Sequence, residues 1–438
     1  MPLLIVIGGI LLLFLLIARF KLNAFIAFII VSLGVGLAEG MELETLVQAI
    51  EDGIGNTLGF LLIILGLGAM LGKLVADSGA AQRITSVLVR RFGTRNVQWA
   101  VVLTGFIVGI PMFYTVGFVI LVPLVFTVAA STRLPLLYVG VPMLASLSVT
   151  HGYLPPHPAP TAISEIFQAD LGKTLLYGIL IAIPAIVVAG PLLSRTFRNI
   201  PASPLPEFVN PRVLKEDEMP GMWVSIVTAL LPVLLIGAAT LSDLLLPGES
   251  WVSKALSFTG NPVIAMLLSV LVAIFTLGLS RGRTMKEVMT SVGQSVSGIT
   301  MVLLIIAGAG ALKEVLIQSG VSEYIGALLA GSSISPLVLA WGIATVIRVS
   351  VGSATVAGLT AAGIVLPLIG TSGVSPELMV LAIGSGSLML SHVNDSGFWL
   401  FKEYFNLSVA DTLRTWTLME TTVGVMGLVG VLILQAIL

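Results

Sequence analysis

Long apolar runs broken by short polar inserts dominate this chain. Uncharged stretches span Leu3–Ala18, Leu22–Ala38, Thr57–Gly72, Thr174–Ser194, Met222–Leu241, Pro262–Ser280 and Ser297–Leu312. Each approaches the roughly 20 residues with which a helix crosses a bilayer. The pattern predicts an all-α polytopic membrane protein. Two other apolar stretches are interrupted instead of ended, by Thr-His-Gly-Tyr-Leu-Pro-Pro-His-Pro (Thr150–Pro158) and by Ser-His-Val-Asn-Asp-Ser-Gly (Ser391–Gly397). Backbone that leaves the helix at membrane depth has unpaired N–H and C=O groups, tolerated only where protein or a water-filled cavity satisfies them. Such breaks at corresponding places in two halves point to the substrate site of a secondary transporter.

The halves do correspond. Ser78-Gly79 matches Ser319-Gly320, Gly117 matches Gly358, Pro135 matches Pro376 and His151 matches His392, all at a spacing of 241. Between Ser131 and His151, seven of 21 residues recur at that spacing. Each half reads as three spans, a hairpin, a broken span and a last span. The hairpins cover about 97–130 and 335–371, with Gly-rich centres at Gly109–Gly117 and Ser350–Gly358. Gly accepts positive φ and Pro lacks a donor, so both suit a tight reversal. Read as re-entrant, the hairpins leave an odd number of crossings per half, so the second copy is inverted. The expectation is about ten spans plus two re-entrant hairpins and two broken helices. The alternative counts each hairpin as two full spans. The first repeat is then 1–195 (broken helix about 136–170), a linker covers 196–221, and the second repeat is 222–438 (broken helix about 376–406).

Charge orients this arrangement. Only 10% of residues are charged and 57% are hydrophobic. Basic loops hold Arg19 and Lys21; Arg83, Arg90, Arg91 and Arg95; Arg195, Arg198, Arg212 and Lys215; and Arg281, Arg283 and Lys286. The intervening loops are acidic or near neutral, with Glu39, Glu42, Glu44, Glu51 and Asp52, then Asp243, Glu249 and Lys254. The positive-inside rule puts the basic loops in the cytoplasm and both termini outside. Ala80–Arg91 reads either as a surface helix with its Arg side chains toward phosphate head groups or as a plain loop. The first segment lacks a small-residue cleavage site and reads as a retained span. A net charge of −1 suggests no nucleic-acid partner, and the absence of Cys excludes disulfides and thiolate metal sites.

Candidate chemistry gathers at the breaks and hairpin tips. His151, His157 and His392 are the only histidines, and all lie in or beside the breaks. They either satisfy freed carbonyls or line a site, and His titrates near neutral pH, so proton coupling is open to them. Asp395, with Asn394 beside it, is an ionisable group inside a span and therefore a functional candidate; it also suits the cap of a helix starting near Phe398. Arg348 precedes the second tip and could hold a carboxylate bidentately or snorkel to the interface. Gly352, Ser353 and Thr355 at one tip, and Tyr114 and Thr115 at the other, offer hydroxyls and approachable backbone. Beside helix N-termini these make a cradle for a carboxylate-bearing polyol. Enzyme and nucleotide-binding signatures are absent, and two neighbouring histidines are too few for a zinc site. The residues therefore point to a carrier needing no bound cofactor and no metal, with a transporter of another small organic anion, sodium-coupled or not, and an intramembrane enzyme as alternatives.

These motifs resemble the gluconate permease family of sugar-acid:proton symporters. The likeness rests on Ser148–Ile163, Gly352-Ser-Ala-Thr-Val356 and Ser391–Phe405, with weaker matches from Gly68 to the last span. It implies uptake of gluconate or a related sugar acid across a bacterial inner membrane by proton symport, with Asp395, His151 and His392 as the candidates to carry the proton. It further implies a homodimer in which a transport domain moves elevator-fashion against a scaffold. One departure stands out: many members carry Glu where this chain has Thr115.

Overall fold

A computed structural model describes residues 2–203, 214–245, 250–321, 334–370 and 372–438. Arg212, Glu249 and most of the expected linker's Pro-rich stretch lie outside these residues. Among the described residues every regular element is a helix. In chain order they are α1 (Pro2–Phe14), α2 (Ala24–Ala38), α3 (Leu43–Asp77), α4 (Ala80–Phe92), α5 (Val97–Gly109), α6 (Tyr114–Thr132), α7 (Leu136–Tyr153), α8 (Pro158–Phe167) and α9 (Leu171–Val187, extended by tighter and wider turns to Phe197). There follow α10 (Met222–Leu245), α11 (Trp251–Gly260), α12 (Pro262–Ala273), α13 (Met285–Gln318), α14 (Pro336–Val351), α15 (Ala354–Val365), α16 (Pro376–Gly386), α17 (Ser396–Tyr404), α18 (Val409–Thr412) and α19 (Leu418–Ile437). Seven of the described helical stretches are long and apolar enough to cross a membrane, with five shorter apolar ones beside them.

Local chemistry sets the boundaries. Asn23, Asp170 and Asn261 cap α2, α9 and α12 through side-chain acceptors, and Thr284 with Glu287 forms a capping box at α13. Two helices run well past the uncharged text that announced them. α3 begins at Leu43, so Glu44, Glu51 and Asp52 ride on its first turns and are not loop residues. α13 likewise begins at Met285, with Lys286 inside it. Charges on a helix that protrudes into water cost nothing, so they do not end it. Ala80–Arg91 is helical. Its Arg83 donates to the Pro220 carbonyl at 2.8 Å and Arg90 pairs with Glu216 at 2.7 Å, so these two guanidiniums hold the connector ahead of α10.

The helices pack as two layers. One contains α1–α3 and α10–α13, centred on the crossing of α3 and α13. A Cβ on Gly53 would lie 2.5 Å from the Gly310 carbonyl oxygen, and one on Gly310 would lie 2.5 Å from that of Gly53, so this crossing requires glycine on both sides. At the other end Ser291 donates to the Asp77 carboxylate. The start of each helix thus meets the end of the other, and the two run antiparallel. Their outer partners are exchanged in the same sense: α2 packs on α13, and α12 packs on α3. The second layer holds the hairpins α5–α6 and α14–α15, the broken pairs α7–α8 and α16–α17, and the last helices α9 and α19. Within it α7 packs on α9 as α16 packs on α19. The layers meet where α15 lies on α13 and α8 on α3.

Candidate functional site

Four helices begin at one place. α6 starts at Tyr114 behind the first hairpin tip, α8 at Pro158 behind the first break, α15 at Ala354 behind the second tip, and α17 at Ser396 behind the second break. All four of these first residues line a cavity of about 290 Å³. The sequence enforces each start. Pro at the first helical position of α8 has no donor to lose. Gly352, at φ +80°, turns the chain from α14 into α15, and a Cβ there would collide with the Asn394 carbonyl. Ser353 caps α15 through Val356 N–H at 3.3 Å, and Asp395 caps α17 through Gly397 N–H at 2.9 Å. The starts of α6 and α8 have no side-chain cap. Four positive helix ends facing one space favour a negative guest.

The side chains extend that preference. Arg348 closes one wall, 3% exposed, with Nη2 2.5 Å from Asp395 Oδ2. Asp395 is fully engaged, because Ser391 also donates to Oδ2 and Gly397 N–H to Oδ1. Ser391 is held in turn by Trp416 Nε1 at 2.8 Å. Arg348 is not fully engaged. Its Nε and Nη1 are buried without a hydrogen-bond partner among the described residues, as are the Tyr114 hydroxyl and His151 Nδ1. A buried donor left unpaired is costly, which marks such groups as awaiting a ligand. Thr115, Ser353 and Thr355 add hydroxyls to the lining, while Phe113, Leu388 and Trp416 give it apolar faces. From the other layer α13 presents only Val302 and Ile305.

Tyr114, Thr115, His151, Arg348, Gly352, Ser353, Thr355 and Asp395, each a candidate from the sequence, therefore meet in one cavity. His157, His392 and Asn394 are not among its lining residues. His157 Nε2 lies 2.9 Å from the Gly109 carbonyl, at the end of α5. His392 Nε2 lies 3.0 Å from the Val349 carbonyl, at the end of α14, and Asn394 Nδ2 donates to that same oxygen at 2.8 Å. These three brace the hairpin tips. Strict spacing pairs His392 with His151, yet by position in space its counterpart is His157. Among the lining residues that the sequence reading passed over are Ser148 and Glu420. Ser148 stood in the motif text with no role, and Glu420, 3% exposed, accepts a hydrogen bond from the Ser148 hydroxyl. The available signal was a carboxylate one turn into an apolar final span.

Comparison with known proteins agrees with this architecture. Residues 1–437 match the family model described as GntP family permease. The chain is 53% identical over 440 residues to a high-affinity gluconate transporter of Escherichia coli strain K12, with all of both chains covered. It is 52% identical over 438 residues to the Gnt-II system L-idonate transporter of that organism, again with full coverage of both. Among solved structures, the Alcanivorax borkumensis YdaH transporter aligns with a TM-score of 0.65 at 18% identity, covering 94% of this chain and 97% of its own. Neisseria gonorrhoeae MtrF aligns at 0.66 and 18%, covering 94% of each. At that identity the likeness concerns the fold.

Proposed function

Since the chain belongs to the GntP permease family, we propose that it imports gluconate or a closely related aldonate, L-idonate included, across a bacterial inner membrane by proton symport. The observation that carries the substrate class is the pair of unpartnered Arg348 donors in a cavity fenced by four helix starts. A sugar acid fits this lining at both ends. Its carboxylate takes the Arg348 fork, and its hydroxyls take Tyr114, His151, Ser353 and Thr355. The cavity volume suits a molecule of about a dozen heavy atoms and leaves no room for an unfolded peptide or a lipid chain.

The reading extends to architecture. Equivalent helices α3 and α13 running antiparallel support two inverted repeats; we read these as about ten spans with re-entrant hairpins, and the basic loops favour termini on the periplasmic side. A polar layer that holds every substrate contact, set against a layer offering only Val302 and Ile305, supports an elevator displacement of the first along the second. The test is counterflow in proteoliposomes preloaded with gluconate, L-idonate, a ketogluconate or citrate. Exchange of the two aldonates above the others is expected. Exchange of citrate alone overturns the assignment.

A further inference from the structure

Glu420 takes no part in the anion contacts described above. It stands in the first turn of α19, buried, and lines the same cavity. Among the described residues its hydrogen bond comes from Ser148, a neutral hydroxyl. Asp395 contrasts with it, receiving Arg348, Ser391 and a backbone N–H. Among the described residues Arg348 is the only Arg or Lys in the lining, and its ion pair is with Asp395. The charge balance follows. Arg348 and Asp395 cancel, an ionised Glu420 leaves the empty cavity at −1, and a bound sugar-acid anion brings it to −2. Two uncompensated carboxylates in one cavity of about 290 Å³ do not both stay ionised. A proton on Glu420 removes the conflict and adds an O–H donor for a substrate hydroxyl.

We propose that Glu420 is the residue that takes up the coupling proton, bound together with the anion on the outer side and released with it inside. The proposal rests on the sugar-acid reading above. Binding of proton and anion is then reciprocal: each raises the other's affinity by the same factor. The other titratable groups facing Glu420 are Arg348 from α14, Asp395 at the α17 cap, Tyr114 from α6, and His151 and Tyr153 from α7. Tyr153 is committed as a donor to the Val423 carbonyl. Arg414, on the turn before α19, is exposed. α9 and α16 bring no charge beside Glu420. They meet α19 further along, with Ser385 at Gly427 and Ile181 at Gly430, and Lys173, Tyr177 and Glu377 sit near their own starts.

The experiment uses the full-length protein in proteoliposomes, as wild type, Glu420→Gln and Glu420→Asp. Uphill gluconate accumulation under an imposed proton gradient is compared with gluconate counterflow at equal pH, and an infrared difference spectrum is taken on adding gluconate. In Glu420→Gln accumulation is expected to fall at least about tenfold relative to counterflow, and counterflow to lose its pH dependence. In wild type, gluconate elicits a protonated-carboxyl band that vanishes in Glu420→Gln and moves in Glu420→Asp. Wild-type accumulation and pH dependence in Glu420→Gln overturn the proposal. A variant that does not insert leaves the spectrum to decide: no carboxyl band in wild type, or one unmoved in Glu420→Asp, overturns it equally. Absence of gluconate counterflow in the wild type is a different failure, which removes the sugar-acid reading and this proposal with it.

Discussion

Arg348→Gln is the substitution with the largest effect on substrate that can be worked from the structure. It deletes two buried donors without partners, Nε and Nη1, and the one that holds Asp395. A hydrogen bond involving a charged group contributes about 1.5–3 kcal/mol, so losing two contacts to a carboxylate costs about 3–6 kcal/mol. At about 1.4 kcal/mol per decade, half-saturation for gluconate rises by roughly two to four orders of magnitude. Arg348→Lys keeps the charge and loses the fork, so about half that effect is expected. Two controls separate anion binding from a structural role. Gluconamide, the uncharged analogue, competes in both wild type and Arg348→Gln with affinities within about fivefold, because only the carboxylate contact has gone. Asp395→Asn breaks the ion pair from the other side while Asn still caps α17, so its half-saturation stays within about tenfold of wild type. The assay is counterflow kinetics and competition in proteoliposomes, with thermal unfolding of each variant in parallel. Arg348→Gln half-saturating within about threefold of wild type would refute the anion assignment, as would Asp395→Asn matching its full loss.

Other substitutions test the frame around the substrate. Gly352→Ala forces a Cβ into the Asn394 carbonyl at a positive φ, so transport is abolished and unfolding temperature falls, with a cost of at least about 1–3 kcal/mol; wild-type uptake in this variant would contradict the tip geometry. His392→Ala loses one bond to the Val349 carbonyl, which lowers stability by about 0.5–1.5 kcal/mol and shifts half-saturation less than about threefold, read by thermal shift and uptake. Thr115→Glu adds a carboxylate to a cavity whose one guanidinium is already paired. Half-saturation for gluconate then depends on pH more steeply than in the wild type, improving as pH falls and the new acid is protonated. A dependence no steeper than that of the wild type would indicate that position 115 does not face the substrate.

Much of this site was legible because its parts break the rules of an apolar helix. Gly352, the Pro155-Pro156 pair, His151 and Asp395 are conspicuous in text otherwise made of Leu, Val and Ile. The hairpin centres and the breaks therefore appeared near the residues where the helices do stop. What the text hid was reach and direction. Glu44, Glu51 and Asp52 look like loop because they are charged, yet they extend α3 into water. Spacing matched His392 to His151, whereas geometry gives His392 and His157 the same task of holding a hairpin end. His151 belongs to the last turn of α7 whereas His157 directly precedes α8, a distinction that a constant spacing does not carry. Nothing in the spacing of the last apolar stretch says which face of it Glu420 takes. Only the packing of α19 against α7 turns it inward, onto Ser148.

The wall contributed by α13 has a consequence for motion. Val302 and Ile305 offer neither a donor nor an acceptor, so a hydroxylated guest forms all its directional bonds with the opposite layer. In the elevator displacement proposed above, sliding that layer past two aliphatic side chains would exchange one dispersion contact for another of similar strength, and no oriented bond to the cargo would have to be broken on the way. On that proposal the guest travels as part of the moving body, over a surface that gives it nothing to hold.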